Sequence, residues 1–329
     1  MIDQDALAKL ARNMEQHAFR RGFVSAFTLA AYPIEPHDEL TLHITRECDG
    51  LVFGNAEVGS TEAMKACIEA LDGHLDYVIY DTGLFGDILH PDSIREWSNR
   101  KSVLLPYSDM GVWVASVRHL LLTLCPDFLL AKTVVVAKGG QGEPFASRLA
   151  IDLAWFCQDL WIYNVDEEGA DQPGQRDAIF KGADIIIGAS IYRQAITADD
   201  IERTGRKPII IDAGIGTITP KAAEYARSHG LVMVRIDNRA AMAGTLFTII
   251  QSHDLVTRVM GKGEIDGIPV VAGGVVGAPG TVIVDSINNP VQAIGIADGS
   301  GKVLYDPAGD EERRKLEIVK KEVERNAGD

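Results

Sequence analysis

The chain has 329 residues, 46% of them hydrophobic and 24% charged, with a formal net charge of −15. This length suits two ordinary domains rather than one small core, and the composition excludes fibrous and broadly disordered chains. A net negative field of this size disfavours nucleic-acid and membrane partners but leaves room for a local basic pocket.

The first 16 residues mix charges of both signs with apolar residues at helical spacing and lack the apolar core of a signal peptide. No run approaches the ~20 apolar residues of a membrane span. Cys48, Cys67, Cys125 and Cys157 contain no C-x-x-C pair, so they read as buried thiols without a metal. A cytoplasmic protein with reduced thiols is expected.

Further along, apolar runs bounded by turn residues alternate with amphipathic stretches, the pattern of β-α-β units. Strands are predicted at Phe23 to Ala31, Leu51 to Phe53, Tyr77 to Tyr80 and Val103 to Leu105. Helices are predicted at Asp38 to Cys48, Thr61 to Leu71, Pro91 to Trp97 and Val112 to Leu124. Together these define an N-terminal α/β substrate domain over 1–130.

The strand Thr133 to Ala137 opens a second domain, with further strands at Leu160 to Val165, Asp184 to Ala189, Ile209 to Ala213 and Leu231 to Arg235. Helical crossovers between them predict a parallel sheet covered on both faces, a Rossmann-type dinucleotide-binding domain over 131–290. The fold class is therefore two-domain α/β. From Ile268 the texture changes; a hairpin turn is expected at Asp298 to Gly301. A charged helix with an apolar stripe at Leu316, Val319 and Val323 closes the segment 291–329.

The turn after Thr133 to Ala137 reads KGGQGEP. Gly139, Gly140 and Gly142 leave backbone N–H groups open to a phosphate at a helix N-terminus, and Pro144 suits the first helical turn. Lys138 stands where a long cation reaches a phosphate oxygen and offsets the charge of Glu143. Asp166, past the next strand, is placed to accept from the adenosine ribose hydroxyls and to repel the extra phosphate of NADP. The cofactor expected is NAD or NADP, with NAD favoured.

Several segments in chain order resemble the methylenetetrahydrofolate and methylenetetrahydromethanopterin dehydrogenase family, and more distantly shikimate dehydrogenase and the amino-acid dehydrogenase-like group. PYSDMGVW, Pro106 to Trp113, is similar to the start of that family's linker helix, and VVVAKGGQGEP, Val134 to Pro144, to its phosphate turn. ADIIIGAS, IIIDAGI and AGGVVGAPGTV resemble its later motifs, which implies cofactor contacts at Ala189, Ser190, Ala213, Gly214, Ile215 and Gly274. The family's Tyr-x-x-x-Lys pair has no counterpart here: Leu40 to Cys48 offers Leu40, His43 and Ile44 at those places. RIDNRAAMAGTLFTIIQ resembles instead the helix after the fifth strand of shikimate dehydrogenase.

Hydride transfer needs a group at a strand end that handles a proton or stabilises charge. Asp81 ends one strand and Asp109 follows another; the resemblance of YSDMG to the N-T-D-G motif of shikimate dehydrogenases singles out Asp109, whose alternative role is a helix N-cap. Asp81 suits an iminium or an amine, or a turn. Lys65 and His43 read as surface residues, and Asp237, Asn238 and Arg239 as weaker candidates near the substrate.

The expectation is an NAD(P)-dependent oxidoreductase, a homo-oligomer without a metal, acting on a small-molecule substrate. A methylene-tetrahydropterin of one-carbon metabolism leads the substrates. The alternatives are a shikimate- or amino-acid-type dehydrogenase and a dinucleotide-binding protein without turnover.

Overall fold

The computed structural model describes residues 3–31, 40–82, 94, 96–98, 101–139, 144–165, 174–190 and 193–327. They divide into two compact units, Met1–Gly244 and Thr245–Asp329. The fold is α/β, and the first unit contains two sheets.

Helix α1 (Gln4–Arg21) precedes β1 (Val24–Ala31), which is flanked by β4 (Leu51–Val58) and β5 (Tyr77–Asp81), with β6 (Val103–Tyr107) beyond β5; all four are parallel. Two short strands, β2 (Leu40–Leu42) and β3 (Arg46–Cys48), pair antiparallel with β4. Helix α1 and α2 (Thr61–Leu71) cover this sheet through Leu7, Met14, Met64 and Ile68, which pack on Phe27, Leu29 and Val78.

The helix expected from Asp38 to Cys48 is corrected: its described part is the β2–β3 pair. Leu40 and Leu42 satisfy an antiparallel register with Val58 and Ala56, so a neighbouring strand overrides the local helical spacing. Of the helix expected from Pro91 to Trp97, Ile94 and Glu96 are helical, while 91–93 and 95 lie outside the described residues.

Helix α3 (Asp109–Leu124) leads to the second sheet, of five parallel strands: β7 (Lys132–Ala137), β8 (Asp159–Asn164), β9 (Ile185–Gly188), β10 (Ile209–Asp212) and β11 (Met233–Arg235). Their order is β11-β10-β9-β7-β8, so the direction of winding reverses between β7 and β9. Alternation along the strands sends Val135, Ile187 and Ile211 to one face, under α3 and α4 (Pro144–Leu153). Val134, Val136, Ile186 and Ile210 go to the other, against residues of α5 (Gln175–Phe180), α6 (Ala198–Arg203) and α7 (Pro220–Ser228). Both faces are covered, as the continuous apolar strands require.

Helix α8 (Arg239–Asp254) contains the boundary between the units. The second unit is a mixed sheet in the order β12-β13-β14-β15-β16, formed by Gly261–Ile265, Ile268–Ala272, Val282–Val284, Ala293–Ala297 and Val303–Leu304. Leu316, Val319 and Val323 of α9 (Asp310–Ala327) pack on one face of it. Residues 268–284, which the sequence suggests as the close of the parallel-sheet domain, pair instead within this separate sheet. The expected boundary at 290 falls between β14 and β15, because β14 and β15 are antiparallel neighbours. Asp298 to Gly301 makes the expected turn between β15 and β16. No helix among the described residues is long and apolar enough to cross a membrane.

Candidate functional site

The carboxyl ends of β5 and β6 lie side by side, since Asp81 pairs with Tyr107 in the parallel ladder. Ser108 then caps α3, its hydroxyl accepting from the Gly111 N–H at 3.3 Å. Asp109 is thus the first residue of the helix and not its cap, which leaves its carboxylate for another use. That carboxylate is buried and accepts from Trp113 Nε1 at 2.9 Å and from the Tyr107 hydroxyl at 3.3 Å. Burial first, and the neighbouring Asp81 second, raise the Asp109 carboxyl to about 7, against the opposing pull of the Trp113 and Tyr107 hydrogen bonds. Burial likewise pushes the Tyr107 hydroxyl well above its ordinary range, so it stays a donor.

Asp81 has a different part. Its carboxylate accepts from the backbone N–H of Asp109 at 3.3 Å and of Ala31 at 3.4 Å, fastening the ends of β1 and β5 to the start of α3. It positions Asp109.

Asp109 and Trp113 form part of the wall of a cavity of about 600 Å³ within the first unit. The volume falls in the range of small-ligand sites. Asn55 and Glu57, two apart on β4 and so on the same side of the sheet, line it together with His43 and Arg46 from the β2–β3 segment. His43 Nε2 lies 3.1 Å from Glu57 Oε1, and this hydrogen bond raises the imidazole above its ordinary value against the opposing effect of burial. The second sheet contributes Ile215 after β10 and Arg235 to Arg239 at the end of β11. Asp237 accepts from Arg239 Nε at 2.7 and 2.6 Å, and that contact holds the Asp237 carboxyl below the usual range.

Ile215 stands out within that wall, because its φ of +58° puts a β-branched residue in the left-handed region. The turn is imposed by Asp212, whose carboxylate accepts from the Gly216 N–H at 2.7 Å, the Thr217 N–H at 3.1 Å and the Thr217 hydroxyl at 2.8 Å. Strain of this kind persists only where surrounding bonds over-determine it.

At the winding reversal, the Lys138 N–H after β7 donates to Ser190 Oγ after β9 at 2.5 Å. Gly214 after β10 sits against the same segment: a Cβ there would meet the Ser190 carbonyl oxygen at 2.2 Å. Lys138, Gly139, Ala189, Ser190, Ala213, Gly214 and Ile215 thus gather at the carboxyl ends of three adjacent strands. Pro144 is the first residue of α4, as expected. Gly140, Gly142 and Asp166 lie outside the described residues. Gly274 belongs to the second unit, where it follows β13 at φ +81°.

Lys65 is a surface residue facing Glu69, as the sequence suggests. His43 is half-buried in the cavity wall, and Asp237 to Arg239 lie there too. Sequence reasoning missed Arg46, Asn55, Glu57, Trp113 and Arg235. For Asn55 and Glu57 a signal exists: two polar residues at strand spacing in the otherwise apolar run LVFGNAEV.

No protein-family model and no curated protein matches the chain. Among solved structures, it is similar to a 5,10-methylenetetrahydrofolate dehydrogenase from the silkworm Bombyx mori, at 15% identity and a TM-score of 0.39, over 76% of this chain and 96% of that one. A bifunctional 5,10-methylenetetrahydrofolate dehydrogenase/cyclohydrolase from Thermoplasma acidophilum aligns at 10% identity and a TM-score of 0.39, over 76% and 97%. A hetero-hexameric glutamate dehydrogenase from Thermus thermophilus aligns at 11% identity and a TM-score of 0.37, over 70% and 68%.

Proposed function

We propose that the first unit is an NAD(P)-dependent dehydrogenase acting at a C–N or C–O bond of a small polar substrate, with NAD as the favoured cofactor. The observation that carries this reading is Ile215. It follows β10, the strand beside the winding reversal of a parallel sheet, where such sheets bind ligands, and it lines the cavity that contains Asp109.

The described residues fit a dinucleotide. Gly139 is exposed at a strand end and Lys138 supplies a cation beside it, while Gly214 lets the segments after β9 and β10 pack closely there, since a Cβ would meet the Ser190 carbonyl. Lys138, Gly139, Ser190 and Gly214 would hold the cofactor, with Ile215 on the side of the cavity. When bound, NAD or NADP supplies the hydride acceptor or donor.

The chain's own contribution is proton handling. A carboxyl poised near 7 exists in both forms at neutral pH. During oxidation a substrate O–H or N–H gives its proton to an Asp109 oxygen; in reduction the protonated carboxyl returns it. The Trp113 and Tyr107 hydrogen bonds fix the direction of the carboxylate, and Asp81 fixes the backbone that carries it. A methylene-tetrahydropterin is the substrate that the sequence resemblance suggests; its methylene carbon loses hydride alone, so with that substrate the Asp109 carboxylate would stabilise the cation left behind and take no proton.

Gly142→Val tests the reading, since a side chain in the phosphate turn fills the space a pyrophosphate needs. Titration of the folded wild type with NADH should saturate, and the variant should not bind. Unchanged affinity in the variant would remove the dinucleotide assignment of this turn.

A further inference from the structure

The chain has a net charge of −15, yet its cavity is rich in cations. Two carboxylates in the wall are already matched, Glu57 by His43 and Asp237 by Arg239. Asp109 is tied to Trp113 and Tyr107. Arg46, half-buried, and Arg235, exposed at the end of β11, make no salt bridge among the described residues, although the charge of Arg46 helps to hold the Asp237 carboxyl down. In a chain with so many carboxylates, two guanidinium groups outside any salt bridge on one cavity leave their donors to an outside anion. Guanidinium groups present planar forks of donors that suit a carboxylate.

Asn55 is an independent sign. It lines the same cavity, is only 8% exposed, and its Oδ1 has no hydrogen-bond partner among the described residues. Buried acceptors are rarely left without a donor, and such exceptions call for an explanation. A ligand O–H or N–H supplies one.

We propose that the cavity selects a substrate carrying a carboxylate, held by Arg46 and Arg235, and a nearby O–H or N–H that donates to Asn55. Calling this ligand a substrate rests on the dehydrogenase reading; the anion site itself does not. A carboxylate fits better than a phosphate, because Glu57, Asp109 and Asp237 share the cavity and repel a dianion more than a single charge.

The probes are 2-hydroxybutanoate, butanoate, the neutral 2-hydroxybutanamide and inorganic phosphate, each followed by ligand-observed NMR with the full chain at constant ionic strength. The wild type should bind 2-hydroxybutanoate and ignore the amide. Arg46→Gln and Arg235→Gln should each weaken the acid by about tenfold or more, the scale of a charge-assisted hydrogen bond, and Arg46→Lys should weaken it less. Butanoate should bind about tenfold less well than the hydroxy acid, a difference that Asn55→Leu should erase. Circular dichroism and melting curves confirm that each variant is folded. Absence of acid binding by the wild type, equal binding of acid and amide, full binding by both Gln variants, or a preference for phosphate overturns the proposal. NADH is titrated in parallel. NADH binding without acid binding refutes this inference alone, and acid binding without NADH binding refutes the dehydrogenase reading alone.

Discussion

Asp109→Asn removes a charge from a buried place while keeping its shape. In the unfolded chain this carboxyl titrates at 3.8, and in the folded protein at about 7, held up first by burial and then by Asp81. Between those values the folded state retains a proton that the unfolded state has released. Stability from this group is therefore complete below 3.8, falls as pH rises toward about 7, and is lost above it. At ~1.36 kcal/mol for each pH unit, ionising Asp109 costs on the order of 4 kcal/mol. Asparagine never ionises. Its amide oxygen still accepts from Trp113, and the Tyr107 hydroxyl turns to accept from its amide nitrogen, so the exchange forfeits only about 1–2 kcal/mol of charge-assisted bonding. Urea unfolding at pH 8 should find the variant more stable than wild type by about 2–4 kcal/mol, with the advantage disappearing toward pH 4. Turnover should fall by ~10²–10⁴-fold in the same variant. If Asp109→Asn is destabilised equally at every pH, the reasoning about its buried charge is wrong.

Two further outcomes follow from the cofactor side. Asp212→Ala removes three hydrogen bonds that hold the turn around Ile215, and should cost about 2–4 kcal/mol in denaturant melts while weakening NADH binding; wild-type affinity for NADH would separate that turn from the cofactor. Asp166→Ser should weaken NAD and relieve repulsion of the extra phosphate of NADP, read as the ratio of the two dissociation constants; a wild type that already prefers NADP would show that assignment to be wrong.

The second sheet was legible because its strands are apolar on both faces and each is bounded by turn residues, as in Thr133 to Ala137. Such a pattern depends little on distant partners. The segment from Leu40 to Cys48 was misread for the opposite reason: three-residue strands acquire their conformation from β4, and their own spacing of apolar residues mimics a helix. Asp109 was found through its place after a strand, but its surroundings were not. Trp113 reaches its carboxylate as the i+4 neighbour on α3 and Tyr107 from two residues before it, whereas Asp81 meets its backbone only once β5 and β6 are paired. Arg46 and Arg235 come from different sheets, so no local spacing links them. Near residue 290 no local pattern announces that β14 and β15 are antiparallel neighbours, because strand pairing is a tertiary fact.

The central claim is that a nicotinamide dinucleotide binds the first unit with its reactive end in the cavity beside Asp109. Trp113 stands in that wall, donating to Asp109 at 2.9 Å, and its emission overlaps the absorption of NADH. Titrating the full chain with NADH while exciting tryptophan should give saturable nicotinamide emission, and Trp113→Phe should retain NADH binding by calorimetry yet lose most of that sensitised signal. A wild type that shows no saturable emission, or a Trp113→Phe variant whose emission is undiminished, would contradict the account.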